Sequence, residues 1–245
     1  VLFRSLFRTA DRFFPVCEHL KREIVNLGCP EEKIRVLYGG VDLTRFRFMP
    51  RTLEEGKKVR FLAIGRFVEK KGFEDLIRAF AVVAERRGGV KLILIGQGPC
   101  ESKYRRLIDK YALGGKVKII PWVDYKKIHK KYESSHIFVA PSVTDAAGNQ
   151  EGIPNTLKEA MATGMPVIST YHAGIPELID SPSSGLLVPE RDVGKLAEAM
   201  QWLADHPESW GEMGFNARRK IERDFNLEKQ LRKQKDFYDE VIRGG

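Results

Sequence analysis

Short apolar runs recur through the middle of the chain, each followed by residues at helical spacing. Residues 59–64 form the first run and stop at Gly65. Phe73, Leu76, Ile77, Phe80 and Val83 then fall on one helix face. Residues 90–95 form the next run, closed by Gly96, and residues 101–112 read as a helix. Four more strands follow at 117–120, 137–140, 167–169 and 186–188, with helical stretches near 125–134, 154–163 and 176–180 between them. Six short apolar strands alternating with helices predict an α/β protein, a Rossmann-like parallel sheet with helices on both faces. Such sheets bind ligands at the carboxyl ends of their strands, so the loops after strands are where chemistry is sought.

The ends read differently. Residues 1–45 hold a helix-like piece, a strand-like 13–16, a helix at 18–27 and a strand at 34–38, too little for a domain of their own. Residues 49–58 are polar and read as a linker. From Asp192 onward the pattern is helical and highly charged, ending in a helix over 227–243 with Leu231, Phe237, Tyr238 and Val241 as its apolar residues.

Composition adds limits. Apolar residues make up 42% and charged residues 31% of the 245, an ordinary globular balance. No apolar run approaches the ~20 residues of a membrane span. The opening Val1-Leu2-Phe3-Arg4-Ser5 lacks the features of a signal peptide, and the absence of a starting Met suggests a fragment or processed product. Cys17, Cys29 and Cys100 lack paired spacing and read as buried or free thiols of a reducing compartment. The net charge of +9 suits an anionic partner, but the basic pairs are spread over helix faces and read mostly as solvated surface.

Two loops carry candidate chemistry. Gly65-Arg66-Phe67-Val68-Glu69-Lys70-Lys71-Gly72 follows the first strand. Gly65 permits a sharp turn, and Arg66 and Lys71 stand beside a helix N-terminus, a combination that attracts phosphate; alternatively the loop is a turn with two solvated cations. The second loop runs from Ser142 to Asn155. Pro154 stands at a helix start, and Glu151 and Glu159 lie eight positions apart. Glu159 suits ribose hydroxyls and Glu151 sugar hydroxyls; alternatively Glu159 is a surface residue beside Lys158. If it is buried, its carboxylate needs a partner. In a third loop His172 is either a hydrogen-bond donor to a sugar or a structural residue. A P-loop, a DxD pair and metal-spaced His/Cys clusters are absent, and Gly96-Gln97-Gly98 fails the dinucleotide fingerprint at Glu101. No metal or other cofactor is predicted.

In order, these features resemble the C-terminal half of retaining GT-B glycosyltransferases, specifically glycosyltransferase family 4 of the exopolysaccharide and colanic-acid type. The resemblance rests on Tyr38-Gly39-Gly40-Val41-Asp42 (Gly39 standing where the family has Asn), Gly65-Arg66 with Lys71-Gly72, and Gly96-Gln97-Gly98-Pro99. It continues through Glu151-x7-Glu159, Gly164-x-Pro166-Val167-Ile168, Gly174-Ile175-Pro176-Glu177 and Gly185-Leu186-Leu187-Val188. It implies a remnant of the acceptor domain over 1–45, a donor domain over 46–225, and a helix over 226–245 crossing back toward the acceptor domain, its Phe237, Tyr238 and Val241 poorly covered. It implies transfer of a hexose from a nucleoside diphosphate sugar to a glycan or lipid-linked acceptor, in the cytoplasm or at the cytoplasmic membrane face. Arg66, Lys71 and Glu151 would be catalytic. Gly40, Gly65, Gly98, Gly152, Ile153, Asn155, Thr156 and Glu159 would bind the donor, with Pro154 unable to donate an N–H. Without its acceptor domain the chain is expected to be inactive alone. A non-catalytic nucleotide-sugar module and a sugar-nucleotide epimerase of the same fold are the alternatives. A nucleic-acid partner is not expected, since no organised aromatic or basic reading surface is present.

Overall fold

The computed structural model describes residues 2–243, and the side chains from Ser5 onward. The expected segment bounds at residues 1 and 245 lie outside the described residues. All six expected strands are present: β1 (Val59–Ile64), β2 (Val90–Ile95), β3 (Val117–Ile120), β4 (Ile137–Ala140), β5 (Val167–Thr170) and β6 (Leu186–Val188). They form one parallel sheet in the order β3-β2-β1-β4-β5-β6. The chain builds outward from β1 through β3 and then returns to the other side of β1. The crevice between the carboxyl ends of β1 and β4 is therefore the switch point where such sheets bind ligands.

Helices cover both faces. The N-terminal segment carries α1 (Leu2–Thr9) and α2 (Glu18–Asn26). Next come α3 (Phe73–Arg86), α4 (Glu101–Lys110), α5 (His129–Glu133), α6 (Asn155–Ala162), α7 (Ile175–Leu178), α8 (Val193–Asp205), α9 (Trp210–Asp224) and α10 (Leu227–Ile242). Alternation along the strands makes two cores. Phe61, Ala63, Ile137, Val139 and Ile168 face α3, α4 and α8, whereas Leu62, Phe138, Ala140 and Val167 face α5, α6, α7 and the C-terminal part of α9. Burying each large side chain contributes about 2 kcal/mol.

The N-terminal segment departs from expectation. The stretches 13–16 and 34–38 meet at a single parallel bridge, Phe13 to Ile34, not as strands. Pro15 has no N–H to offer, so the pairing does not extend into a ladder. Phe7, Cys29 and Ile34 form a small core of their own there. The stretch 49–58 is not a free linker either: Arg51 is buried and donates to the Met49 and Tyr132 carbonyls and to Thr163 Oγ1. At the other end, α10 returns to this segment. Phe14 stacks on Phe237 with centroids 5.7 Å apart and meets Tyr238 edge-on. Phe237 and Val241 are thus half-buried, while Tyr238 stays exposed as expected.

One glycine governs how closely the two site-bearing loops approach. Gly72 sits at φ +65°, and a β-carbon on it would lie 1.8 Å from the Pro141 carbonyl oxygen. Gly72→Ala should lower the unfolding free energy by about 3 kcal/mol, from left-handed strain plus the clash. Urea unfolding checks this, and a loss below about 0.5 kcal/mol, the level of an ordinary surface change, would contradict it.

Candidate active site

The loop after β1 and the loop after β4 meet at the switch point through charge. Glu151 Oε2 accepts from Lys71 Nζ at 2.8 Å, and Glu151 Oε1 lies 3.0 Å from Lys70 Nζ. Lys70 also donates to the Gln150 carbonyl at 3.1 Å. All three side chains are largely buried. Burial opposes the charge on Glu151, but the two lysines hold its carboxyl below the ordinary value. Sequence reasoning named Lys71 and Glu151 separately; the structure brings them together and adds Lys70.

Beside this pair opens a cleft of about 540 Å³. Its lining includes Gly65, Arg66, Gln97, Trp122, Tyr125, Asn155, Thr156 and Glu159. The Arg66 guanidinium is exposed and makes no side-chain bond to the described residues. Trp122 is 71% exposed and Tyr125 54%, unusual for large aromatics in a protein with ample core space. The Tyr125 ring carries the Arg45 guanidinium 4.1 Å above its centroid. Asn155 and Thr156 open α6, whose first N–H groups lack intrahelical partners.

Glu159 is buried rather than solvated, which removes the surface alternative. Its Oε2 accepts from the Tyr132 hydroxyl at 2.7 Å, and its Oε1 from the Tyr125 hydroxyl at 3.2 Å. Lys158 is buried as well and points the other way, donating to the Gly39 carbonyl at 2.6 Å. Burial pulls the Lys158 ammonium down to about 8 against the attraction of Glu159. Burial also raises the Glu159 carboxyl above its ordinary 4.5, while the tyrosine hydroxyls, Lys158 and Arg45 work in the opposite direction.

Other predicted residues lie apart from the cleft lining. Gly40 is packed under α10, where a β-carbon would come within 2.4 Å of Leu227 Cα; its role is close backbone approach. Gly98 lies against the Phe67 backbone, and Gly152 against Val16, Leu20 and Cys17 of the N-terminal segment. Ile153 packs on the core face that α6 shares with β4 and β5. His172 is fully buried, with both ring nitrogens engaged by Glu151 N and Glu190 Oε1. The residues missed from the sequence are Trp122, Tyr125, Tyr132, Lys70 and Glu190. For Trp122 and Tyr125 a signal was available: two aromatics in the loop that follows a strand.

A polar and aromatic cleft at the switch point of a parallel sheet stands where doubly wound α/β domains bind their ligands. The family described as Glycosyl transferases group 1 matches residues 44–220, and that described as Glycosyltransferase Family 4 matches residues 2–45. The chain belongs to the group 1 glycosyltransferases, and its fold is that of the C-terminal half of GT-B enzymes. It is 36% identical over 226 residues to the "Putative colanic acid biosynthesis glycosyltransferase WcaL" of Escherichia coli K12, covering 91% of this chain and 55% of the relative. It is 34% identical over 224 residues to the amylovoran biosynthesis glycosyltransferase AmsK of Erwinia amylovora, with the same coverage of each. The chain thus spans about half the length of the curated relatives it matches. Among solved structures, sucrose-phosphate synthase of Thermosynechococcus elongatus superposes with a TM-score of 0.82 at 24% identity, covering 98% of this chain and 61% of that one. HepE of Anabaena, in complex with UDP, superposes with a TM-score of 0.82 at 18% identity, covering 95% and 64%.

The burial of Glu159 makes a pH prediction. Its raised pKa means that the folded form holds the proton more tightly than the unfolded chain. The stability tied to this group is therefore full below the ordinary 4.5 and declines as pH rises from there through the raised value. Glu159→Gln should remove that decline. Subtracting the variant's unfolding free energy from the wild type's between about pH 4 and pH 7 should give a falling line; a rising one would mean that the tyrosine hydrogen bonds outweigh burial.

Proposed function

We propose that this chain forms the donor site of a retaining glycosyltransferase that moves a hexose from a nucleoside diphosphate sugar to a glycan or lipid-linked acceptor in exopolysaccharide synthesis. The single observation that carries the reading is one cleft at the switch point lined by an exposed guanidinium, a buried carboxylate and two exposed aromatics. Each group matches a different part of such a donor. Arg66 takes the diphosphate oxygens in its planar fork. Glu159, held by two tyrosines, accepts from the ribose hydroxyls. Trp122 offers a face for the base. Glu151 orients the sugar, and Lys71 beside it turns to the diphosphate when the donor arrives.

In the transfer step the bond from the anomeric carbon to the diphosphate oxygen breaks, and a bond to the acceptor hydroxyl oxygen forms on the same face. The hydroxyl proton passes to the leaving phosphate, so no enzymic nucleophile is needed. Negative charge grows on the diphosphate, and Arg66 and Lys71 stabilise it together with N–H groups at a helix start. In this reading the leaving charge is neutralised without a metal ion. The names of the colanic acid and amylovoran relatives support the polysaccharide assignment. The acceptor, and any contact with a membrane surface, would be met through a facing domain; among the described residues no helix is long and apolar enough to cross a membrane.

Calorimetric titration of the chain with UDP, GDP and ADP, without added metal, tests the site and identifies the base. One nucleotide should bind. Arg66→Ala and Trp122→Ala should each weaken it by about tenfold, through loss of a charged contact and of a stacking face respectively. Unchanged affinity in both variants would place the nucleotide elsewhere.

A further inference from the structure

His172 sits just after β5 with no exposed surface, and its two nitrogens have opposite partners. Nε2 lies 2.9 Å from the backbone nitrogen of Glu151, and Nδ1 lies 2.6 Å from Glu190 Oε1. A backbone N–H can only donate, so Nε2 is the bare nitrogen and Nδ1 carries the proton. No N–H of this ring is left for a sugar. The other oxygen of Glu190 accepts from the Thr144 backbone N–H at 2.8 Å. Burial opposes the charge on Glu190, yet the Thr144 N–H, the His172 ring and Arg191 hold its carboxyl below the ordinary value. Arg191 in turn donates to the Thr144 carbonyl at 2.6 Å and to Glu69 at 3.2 Å. The loops after β4, β5 and β6 are thus tied together behind Glu151, and the tie reaches the loop after β1.

We propose that Glu190 and His172 are positioning residues: they fix the main chain at Glu151 and so aim its carboxylate, between Lys70 and Lys71, at the sugar of the donor. The inference rests on the proposed role of Glu151. The carboxylate is the part that cannot be replaced by an amide. It accepts twice, from Nδ1–H and from Thr144 N–H, and it donates nothing. In Glu190→Gln one of those two donors must face an –NH2 group. If that donor is Nδ1–H, the imidazole relieves the clash by moving its proton to Nε2, which then opposes the Glu151 N–H. A carboxylate that sets the tautomer of a buried imidazole is a known way to control function without changing shape.

Two measurements on the 245-residue chain test this. Nitrogen-15 NMR of histidine-labelled protein at neutral pH should show His172 with Nδ1 protonated and Nε2 bare, and Glu190→Gln should shift the proton wholly or partly to Nε2. A wild-type ring protonated at Nε2 overturns the relay. Calorimetry should then show that Glu190→Gln weakens the nucleotide sugar by about tenfold and the matching nucleoside diphosphate by less than about twofold. His172→Gln, whose amide oxygen lies as many bonds from the main chain as Nε2, should retain nucleotide-sugar affinity within about threefold, whereas His172→Leu should not. In a Glu151→Ala background, Glu190→Gln should add nothing further. Equal weakening of both ligands, or full additivity with Glu151→Ala, would reduce the pair to a fold-stabilising contact and overturn the proposal. The expected tautomer in a chain that binds neither ligand would overturn the donor site; the wrong tautomer in a chain that binds both would overturn the relay alone.

Discussion

The two lysines that close on Glu151 join halves of the sheet that the chain builds separately. Lys70 and Lys71 belong to the crossover from β1 to β2 and Glu151 to that from β4 to β5, and about 80 residues lie between them. Partly desolvated charges of this kind are tolerated only as a set, because removing one partner leaves the others uncompensated. Two cations on one carboxylate leave the cluster with a net positive charge. The switch point therefore presents positive potential even while Glu151 is paired, and Arg66 adds to it from the cleft wall. A polyanionic ligand entering there meets a field already organised for it.

The second carboxylate follows the opposite logic. Glu159 is balanced mainly by neutral donors, and burial rather than a cation dominates its environment. The Tyr132 hydroxyl is itself pushed far above its ordinary value by burial, so it remains a donor over the whole range in which Glu159 titrates. Two glutamates eight positions apart thus differ in kind: one is set by charge, the other by hydrogen bonds in a desolvated wall.

Most of the sheet was legible because each strand is a short apolar run with a turn residue at its mouth, and burial on both faces makes such runs unambiguous. The loops were legible for the same reason, since a strand's carboxyl end fixes where a following loop must lie. What the sequence withheld was pairing at a distance. Nothing local marks Tyr132 as the partner of Glu159, or Glu190 as the partner of His172; those contacts exist only once α5 and β6 have been placed. His172 read as either ligand or structure, and its two buried hydrogen bonds put it with the structure. The strand readings at 13–16 and 34–38 failed because extended, apolar sequence was present but Pro15 interrupts the donors a ladder requires. Gly40 was expected at the donor site through the family resemblance alone, and its close packing against the start of α10 is another contact that no local pattern marks.

Glu177 is the feature that decides how the N-terminal segment is carried. Its carboxylate accepts from the first two backbone N–H groups of α2, at Glu18 and His19, and from the Tyr38 hydroxyl. Cys17, at the position before the helix, supplies no cap of its own. The donors that α2 would otherwise leave orphaned are thus satisfied from a residue about 160 positions away. Sliding α2 away from Glu177 would break two hydrogen bonds at one carboxylate together and leave the first two N–H groups of the helix without a cap. Glu177 thereby anchors both α2 and Tyr38 to α7, so the N-terminal segment is held to the sheet at its loop end by one side chain.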